Sequence, residues 1–164
     1  MPCYGIKLWQ MTLLYFGIIF AVIAGMEAFS WLFHKYMLHG PLWFLHRSHH
    51  TPRTGLFEWN DLVSAAYALP AVICIYHGLQ NNMPWLACIG AGITIYGILY
   101  FVLHDIVIHR RVKIKYHFTN SYLLRLIRAH KIHHKHLGKK GSCAFGFLYA
   151  SGKYQPKPTN WEQQ

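Results

Sequence analysis

Acidic side chains are scarce in this chain. Five Asp and Glu stand among 164 residues, against sixteen Lys and Arg and thirteen His, for a formal net charge of +11 at pH 7. Charged residues of both signs total 13%, while hydrophobic residues reach 54%. A soluble domain carries about 25% charge, so the ordinary water-soluble globule is the first class excluded. The apolar content excludes a disordered chain as well. With so few carboxylates, a soluble metal bundle built from E-x-x-H helices is excluded too. Cysteine is sparse: Cys3, Cys74, Cys88 and Cys143 are scattered without a C-x-x-C pair, so no disulfide framework is expected. Cys74 and Cys88 fall inside apolar runs and read as small hydrophobes. G-x-G-x-x-G, the P-loop and H-E-x-x-H are all missing, as is the G-x-S-x-G elbow. The N-terminus shows neither a basic leader segment nor a small-residue cleavage site, so the first apolar run is expected to remain as an anchor.

Three apolar runs are present. The first extends from about Leu8 to Phe33, broken only by a few uncharged polar residues and Glu27. A helix rises 1.5 Å per residue, so about twenty residues cross a hydrocarbon layer of about 30 Å. The run is long enough to cross once and too short to cross twice. The second covers about Leu62 to Gly78 and contains Pro70, which membrane helices tolerate. A turn at residues 80–83 leads to Pro84, suited to a first helical position, and the third run continues to about Leu103. Gly90, Gly92 and Gly97 lie in it and would permit close helix contact. A further helix of mixed character is expected from about Tyr122 to His136, and a loosely ordered tail over residues 151–164.

Segments 34–60 and 104–164 hold every Lys and Arg except Lys7, and the turn at 80–83 holds none. Two apolar arms joined by a short turn return the chain to its starting side, so both basic segments share one membrane face. Charge bias makes that face cytoplasmic. A basic chain can bind nucleic acid, but domains that do so have moderate apolar content, and that partner is excluded. The expected fold is a single all-α integral membrane domain over residues 1–164, with three spans and the N-terminus outside. The depth of Glu27 leaves open a fourth span or a re-entrant first segment.

Histidine is the other excess. Ten of the thirteen fall into four clusters. His34 and His39 form H-x4-H, and His46, His49 and His50 form H-x2-H-H. His104 and His109 repeat the first spacing; His130, His133 and His134 repeat the second. Residues three and four apart share a helix face, so His46 is expected to act with His49 and His50, and His130 with His133 and His134. Five residues at about 100° each leave about 140° between side chains, so each H-x4-H pair needs a local widening or a helix end between its members. Ten imidazoles exceed what one ion can use, and four to six ligands per ion make two ions the natural partition. Imidazole suits iron, zinc, copper and nickel alike, so ligand type does not choose among them, and a purified sample can carry zinc. A redox purpose favours iron.

Seven residues separate Glu27 from His34, placing Glu27 on the same face, where it either orients a ligand or approaches the metal; otherwise it is a helix-packing partner. Glu58, Asp61 and Asp105 are candidate acceptors for imidazole N–H groups, although Glu58 and Asp61 would equally cap a helix. His77, His117 and His136 stand outside the clusters and read as capping or surface residues. A metal transporter would need polar residues along all its spans, and a haem electron carrier would place histidines deeper within paired spans. The sequence offers neither.

Beyond the boxes, Gly25-Met26-Glu27, HKYMLHG at 34–40, FEWNDL at 57–62, YGILYFVLHDIVIHRR at 96–111, RAHKIHH at 128–134 and GSCAFGFLYA at 141–150 resemble the bacterial beta-carotene hydroxylases of the fatty acid hydroxylase/sterol desaturase superfamily. The resemblance covers about residues 15–150. It implies a bacterial inner-membrane di-iron monooxygenase that hydroxylates carbon 3 of the beta-ionone rings of beta-carotene, giving beta-cryptoxanthin and zeaxanthin. Dioxygen would be the co-substrate, and a ferredoxin-type donor the external reductant. His34, His39, His46, His49, His50, His104, His109, His130, His133 and His134 would bind two iron ions. A fatty acid or sterol hydroxylase or desaturase is the alternative, because the boxes do not encode substrate. Tyr96, Tyr100, Phe101 and Phe147 are candidate pocket lining. Arg110, Arg111, Lys113 and Lys115 would either dock an acidic donor or anchor the cytoplasmic face.

Overall fold

The computed structural model describes residues 7–52, 55, 57–113, 115, 118–138 and 144–155. Cys3, His117, Cys143, Pro156 and Pro158 lie outside them. Helix α1 covers Leu8–Phe33, α2 Trp43–His46, α3 Asp61–Gln80, α4 Pro84–Tyr100 and α5 Ser121–His133, and no strand occurs among the described residues. Two compact units divide the chain: Met1–Met26 with Asp61–Ile98, and Glu27–Asn60 with Leu99–Gln164.

The first unit is built from apolar helices. Pro84 opens α4 as its lack of an N–H favours. Ahead of it, Asn82 takes a φ of 53°, a left-handed conformation that asparagine tolerates. Helices α3 and α4 pack closely through glycine. A Cβ at Gly90 would sit 2.7 Å from the Ala71 carbonyl oxygen, and one at Gly78 would collide with the Ala87 backbone. Gly92 faces Val22 of α1, where a Cβ would meet the valine Cβ at 2.8 Å. Gly97, expected to share this role, has nothing within 4 Å, so the close contacts belong to Gly78, Gly90 and Gly92. Tyr96 is buried in this unit.

Outward faces are apolar throughout. Phe20, Leu69 and Leu79 are each more than 60% exposed, an arrangement that water disfavours and lipid accepts. Three helical stretches are long and apolar enough to cross a membrane: Leu8–Leu38, Asp61–Gln80 and Pro84–Ile108. They match the three expected spans.

The second unit carries the ten clustered histidines. Beyond Phe33 the helix widens into a π-helical turn, His34–Leu38, and beyond Tyr100 it widens again over Phe101–Ile108. The His39 N–H donates to the His34 carbonyl at 3.0 Å and the His109 N–H to the His104 carbonyl at 2.9 Å. These i to i+5 bonds are the widening that the H-x4-H spacing required. The second box straddles α2 and a 3₁₀ turn, Arg47–His50. Helix α5 begins at Asn120, whose side-chain oxygen accepts the N–H groups of Tyr122 at 3.0 Å and Leu123 at 3.2 Å, an N-cap arrangement. Leu126 and Ala129 of α5 pack with Ala150 and Tyr154. Tyr154 is 7% exposed and closes a 3₁₀ turn, Gly152–Tyr154. Residues 151–155 of the expected tail carry this turn, and the rest of the tail lies outside the described residues.

Candidate metal centre

Among the described residues, the largest fully buried side chains are His34, His104 and His133. Imidazole seldom holds that position, and its partners explain why. The Nδ1–H of His34 donates to the Phe145 carbonyl at 2.9 Å and that of His39 to the Leu137 carbonyl at 3.0 Å. His46 Nδ1 donates to Asn60 Oδ1 at 2.7 Å, His49 Nδ1 to Glu58 Oε2 at 3.2 Å, and His104 Nδ1 to Asp105 Oδ1 at 2.8 Å. Carbonyl and carboxylate oxygens only accept, so these five rings are protonated at Nδ1 and present a lone pair at Nε2.

The Nε2 atoms converge. His34 and His46 face each other at 2.9 Å, and His49 and His104 at 3.0 Å. With both Nδ1 atoms already protonated in each pair, no proton is left to join the nitrogens. Facing lone pairs at this distance repel unless a cation lies between them. The donor chemistry fits a metal ion, with nitrogen ligands oriented through their far sides.

Two groups result. His34, His39, His46, His50 and His133 form one; His49, His109, His130 and His134 form the other, with ligand atoms in each group within 4.8 Å of one another. His104 joins the second through its contact with His49. The triplets therefore do not act as units, contrary to the shared-face expectation. His49 leaves His46 and His50, and His133 leaves His130 and His134. The reason is local: adjacent helical residues diverge by about 100°, so each His-His pair points its members at different groups.

All of these imidazoles outside the spans are held as free bases. Burial is the first cause in every case, and for all but His39 the charge of neighbouring rings or of Arg111 adds to it. His133 is pushed down to about 2, His46, His50 and His134 to about 3, and His109 to about 4. His39, His49 and His130 move the same way. Neutral imidazole is the form that binds metal.

Other expected residues fall into place unevenly. Glu58 accepts from His49 and Asp105 from His104. Asp61 opens α3, and its neighbour Asn60 receives the His46 N–H instead. Asn60 and the Phe145 and Leu137 carbonyls were missed. Asn60 carried no signal beyond its place between Glu58 and Asp61, and backbone acceptors carry none. Glu27 belongs to neither imidazole group. Its Oε1 accepts the N–H groups of Phe147 and Leu148 at 3.0 Å and of Tyr149 at 3.2 Å. It thus anchors the segment whose Phe145 carbonyl orients His34. A Cβ at Gly146 would lie 2.5 Å from that carboxylate oxygen, so glycine leaves room for it.

Tyr100 stacks on His104 with ring centroids 4.5 Å apart, and Phe147 lies parallel to His34 at 5.8 Å and edge-on to His104 at 5.2 Å. Phe101 is half exposed and turned outward. Among the basic residues, Arg111 is drawn inward, with Nη2 3.2 Å from Glu58 Oε2 and Nε 3.7 Å from Asp105 Oδ1. Arg110, Lys113 and Lys115 are exposed.

Comparison with known proteins agrees with this geometry. The fatty acid hydroxylase family model matches residues 19–151. A beta-carotene hydroxylase of Pantoea ananas is 47% identical over 133 residues, 81% of this chain and 75% of that protein. Another of that name from Pseudescherichia vulneris is 44% identical over 133 residues, 81% of this chain and 74% of its own. One from Paracoccus sp. (strain PC1) is 38% identical over 136 residues, 82% of this chain and 83% of its own. No solved structure matches. The family match takes in all ten clustered histidines, and the chain belongs to the fatty acid hydroxylase family.

Proposed function

We propose that this protein is a membrane-bound beta-carotene 3-hydroxylase that adds hydroxyl groups to the beta-ionone rings and forms beta-cryptoxanthin and zeaxanthin. The observation that carries the reading is the pair of convergent, neutral imidazole groups in a chain similar to proteins named beta-carotene hydroxylase. His34, His39, His46, His50 and His133 hold one ion. His49, His104, His109, His130 and His134 hold the other. Iron in these positions supplies the redox chemistry that activates dioxygen against a C–H bond, with electrons from an external ferredoxin-type donor.

The chain's own residues prepare that chemistry. Phe145, Leu137, Asn60, Glu58 and Asp105 fix five rings with Nε2 free to ligate, so little reorganisation remains when metal enters. Burial keeps the ligands unprotonated. Tyr100 and Phe147 supply apolar walls against the imidazoles, which exclude water and can flank a ring held for reaction at one carbon. Arg110, Lys113 and Lys115 offer positive charge to an acidic donor; Arg111 is committed elsewhere. The positive-inside rule assigns the histidine-bearing segments to the cytoplasmic side of the bacterial inner membrane.

Pigment analysis in a host that makes beta-carotene tests the reading, with wild type compared against His133→Ala. New cryptoxanthin and zeaxanthin that require His133 are expected. Unchanged beta-carotene, from iron-loaded protein with a competent donor, sinks the substrate assignment and turns the search to fatty acid and sterol products.

A further inference from the structure

The acceptors behind the two imidazole groups differ in charge. In the group of His34, His39, His46, His50 and His133, the Nδ1–H groups of three rings end on the Phe145 carbonyl, the Leu137 carbonyl and the Asn60 amide oxygen. All three acceptors are neutral. In the other group, His49 donates to the Glu58 carboxylate and His104 to the Asp105 carboxylate. Arg111 lies against both carboxylates, 3.2 Å from Glu58 and 3.7 Å from Asp105. Two anions and one cation therefore back the second group, while the three acceptors described behind the first are neutral.

A carboxylate drawing on Nδ1–H gives the ring partial imidazolate character and makes Nε2 a stronger donor; a carbonyl does so less. Glu58 and Asp105 are mostly buried, where charge acts through less solvent screening. Arg111 offsets part of the negative charge and also holds both carboxylates in place for their rings.

From this asymmetry we infer that the two metal positions are unequal: the group of His49, His104, His109, His130 and His134 takes metal first and holds it more tightly, with Glu58 and Asp105 as its positioning residues. The inference rests on the proposal that both groups bind metal.

Anaerobic titration of the full-length, chelator-stripped protein with Fe(II) tests it, read by metal content per chain and by Mössbauer spectroscopy. Wild type should fill in two resolved steps, and one equivalent should give a single iron signal distinct from the second. Glu58→Gln and Asp105→Asn keep an oxygen acceptor but remove the charge. Each should weaken the first step by about 10- to 100-fold and leave the second in place. His130→Ala should abolish the tight step and His133→Ala the weak one. Asn60→Asp should tighten the weak step, a gain that damage to folding cannot mimic. Equal weakening of both steps by the Glu58 and Asp105 variants, or loss of the weak step in His130→Ala, overturns the inference. Failure of the folded wild type to take up any Fe(II) overturns the metal centre itself.

Discussion

At the residue scale, the sequence exposes ligand types well and their supports poorly. Ten histidines in four boxes are legible because imidazole is rare enough for spacing to stand out, and Glu58 and Asp105 are legible because carboxylates are rarer still. Asn60 and two backbone carbonyls do the same work without any compositional mark. Glu27 shows how a location can be legible while its partners are not. Its position on the His34 face is visible in the sequence, but the chain that returns to meet it more than a hundred residues later is not. Three N–H groups converge on one carboxylate, and each donor left without an acceptor costs about 1–3 kcal/mol. Partial burial of the segment places the cost at the low end. Glu27→Leu should therefore loosen residues 147–149 and release His34 from Phe145, with Glu27→Gln intermediate. Amide hydrogen exchange measures this directly: protection at Phe147, Leu148 and Tyr149 should drop while that of α5 holds. Unchanged protection at those three amides would remove Glu27 from its anchoring role.

At the scale of elements, helix geometry alone predicts the local irregularity. The 140° problem of H-x4-H has few solutions, and the chain uses the same one twice, a π-helical turn in each box. The divergence of adjacent histidines follows equally from 3.6 residues per turn, yet it is hidden from pattern reading. A shared face at i, i+3 and i+4 looks sufficient until two groups compete for the same helix. Gly40 marks the exit of the first π turn. A Cβ there would collide with the Tyr36 carbonyl oxygen and lie 3.3 Å from its carbon. Since backbone rather than a flexible side chain is in the way, relief must come from the turn itself. Gly40→Ala should displace His39 and destabilise the protein by about 1–3 kcal/mol. Metal analysis should show loss at the group containing His39 with retention at the other. Gly97→Ala, with open space around the new methyl, is the control and should change neither. Full occupancy of both positions in Gly40→Ala would separate the π turn from ligand placement.

At the scale of the whole molecule, ten polar residues among those described, seven of them histidines, are buried while many tryptophan, leucine and phenylalanine side chains face outward. Lipid is the solvent that makes the outward half of this distribution favourable, since apolar faces need no water. The order of boxes and spans along the chain supports a three-span topology. The first box ends the first span, the second box follows it, the third box ends the third span, and the intervening hairpin carries no Lys or Arg at its turn. If the spans cross as read, Lys7 and the turn at Asn81 face outside while Lys153 faces the cytoplasm. Single cysteines placed at these three positions, in a chain whose natural cysteines are replaced, report this through a membrane-impermeant maleimide. Positions 7 and 81 should label in intact spheroplasts, and position 153 only after lysis. Labelling of 7 only after lysis, with 81 still accessible, would make the first segment re-entrant and give the depth of Glu27 a different cause. Labelling of 81 and 153 from the same side would break the three-span reading, because the third span would no longer carry the chain from the turn to the side of the last histidine box.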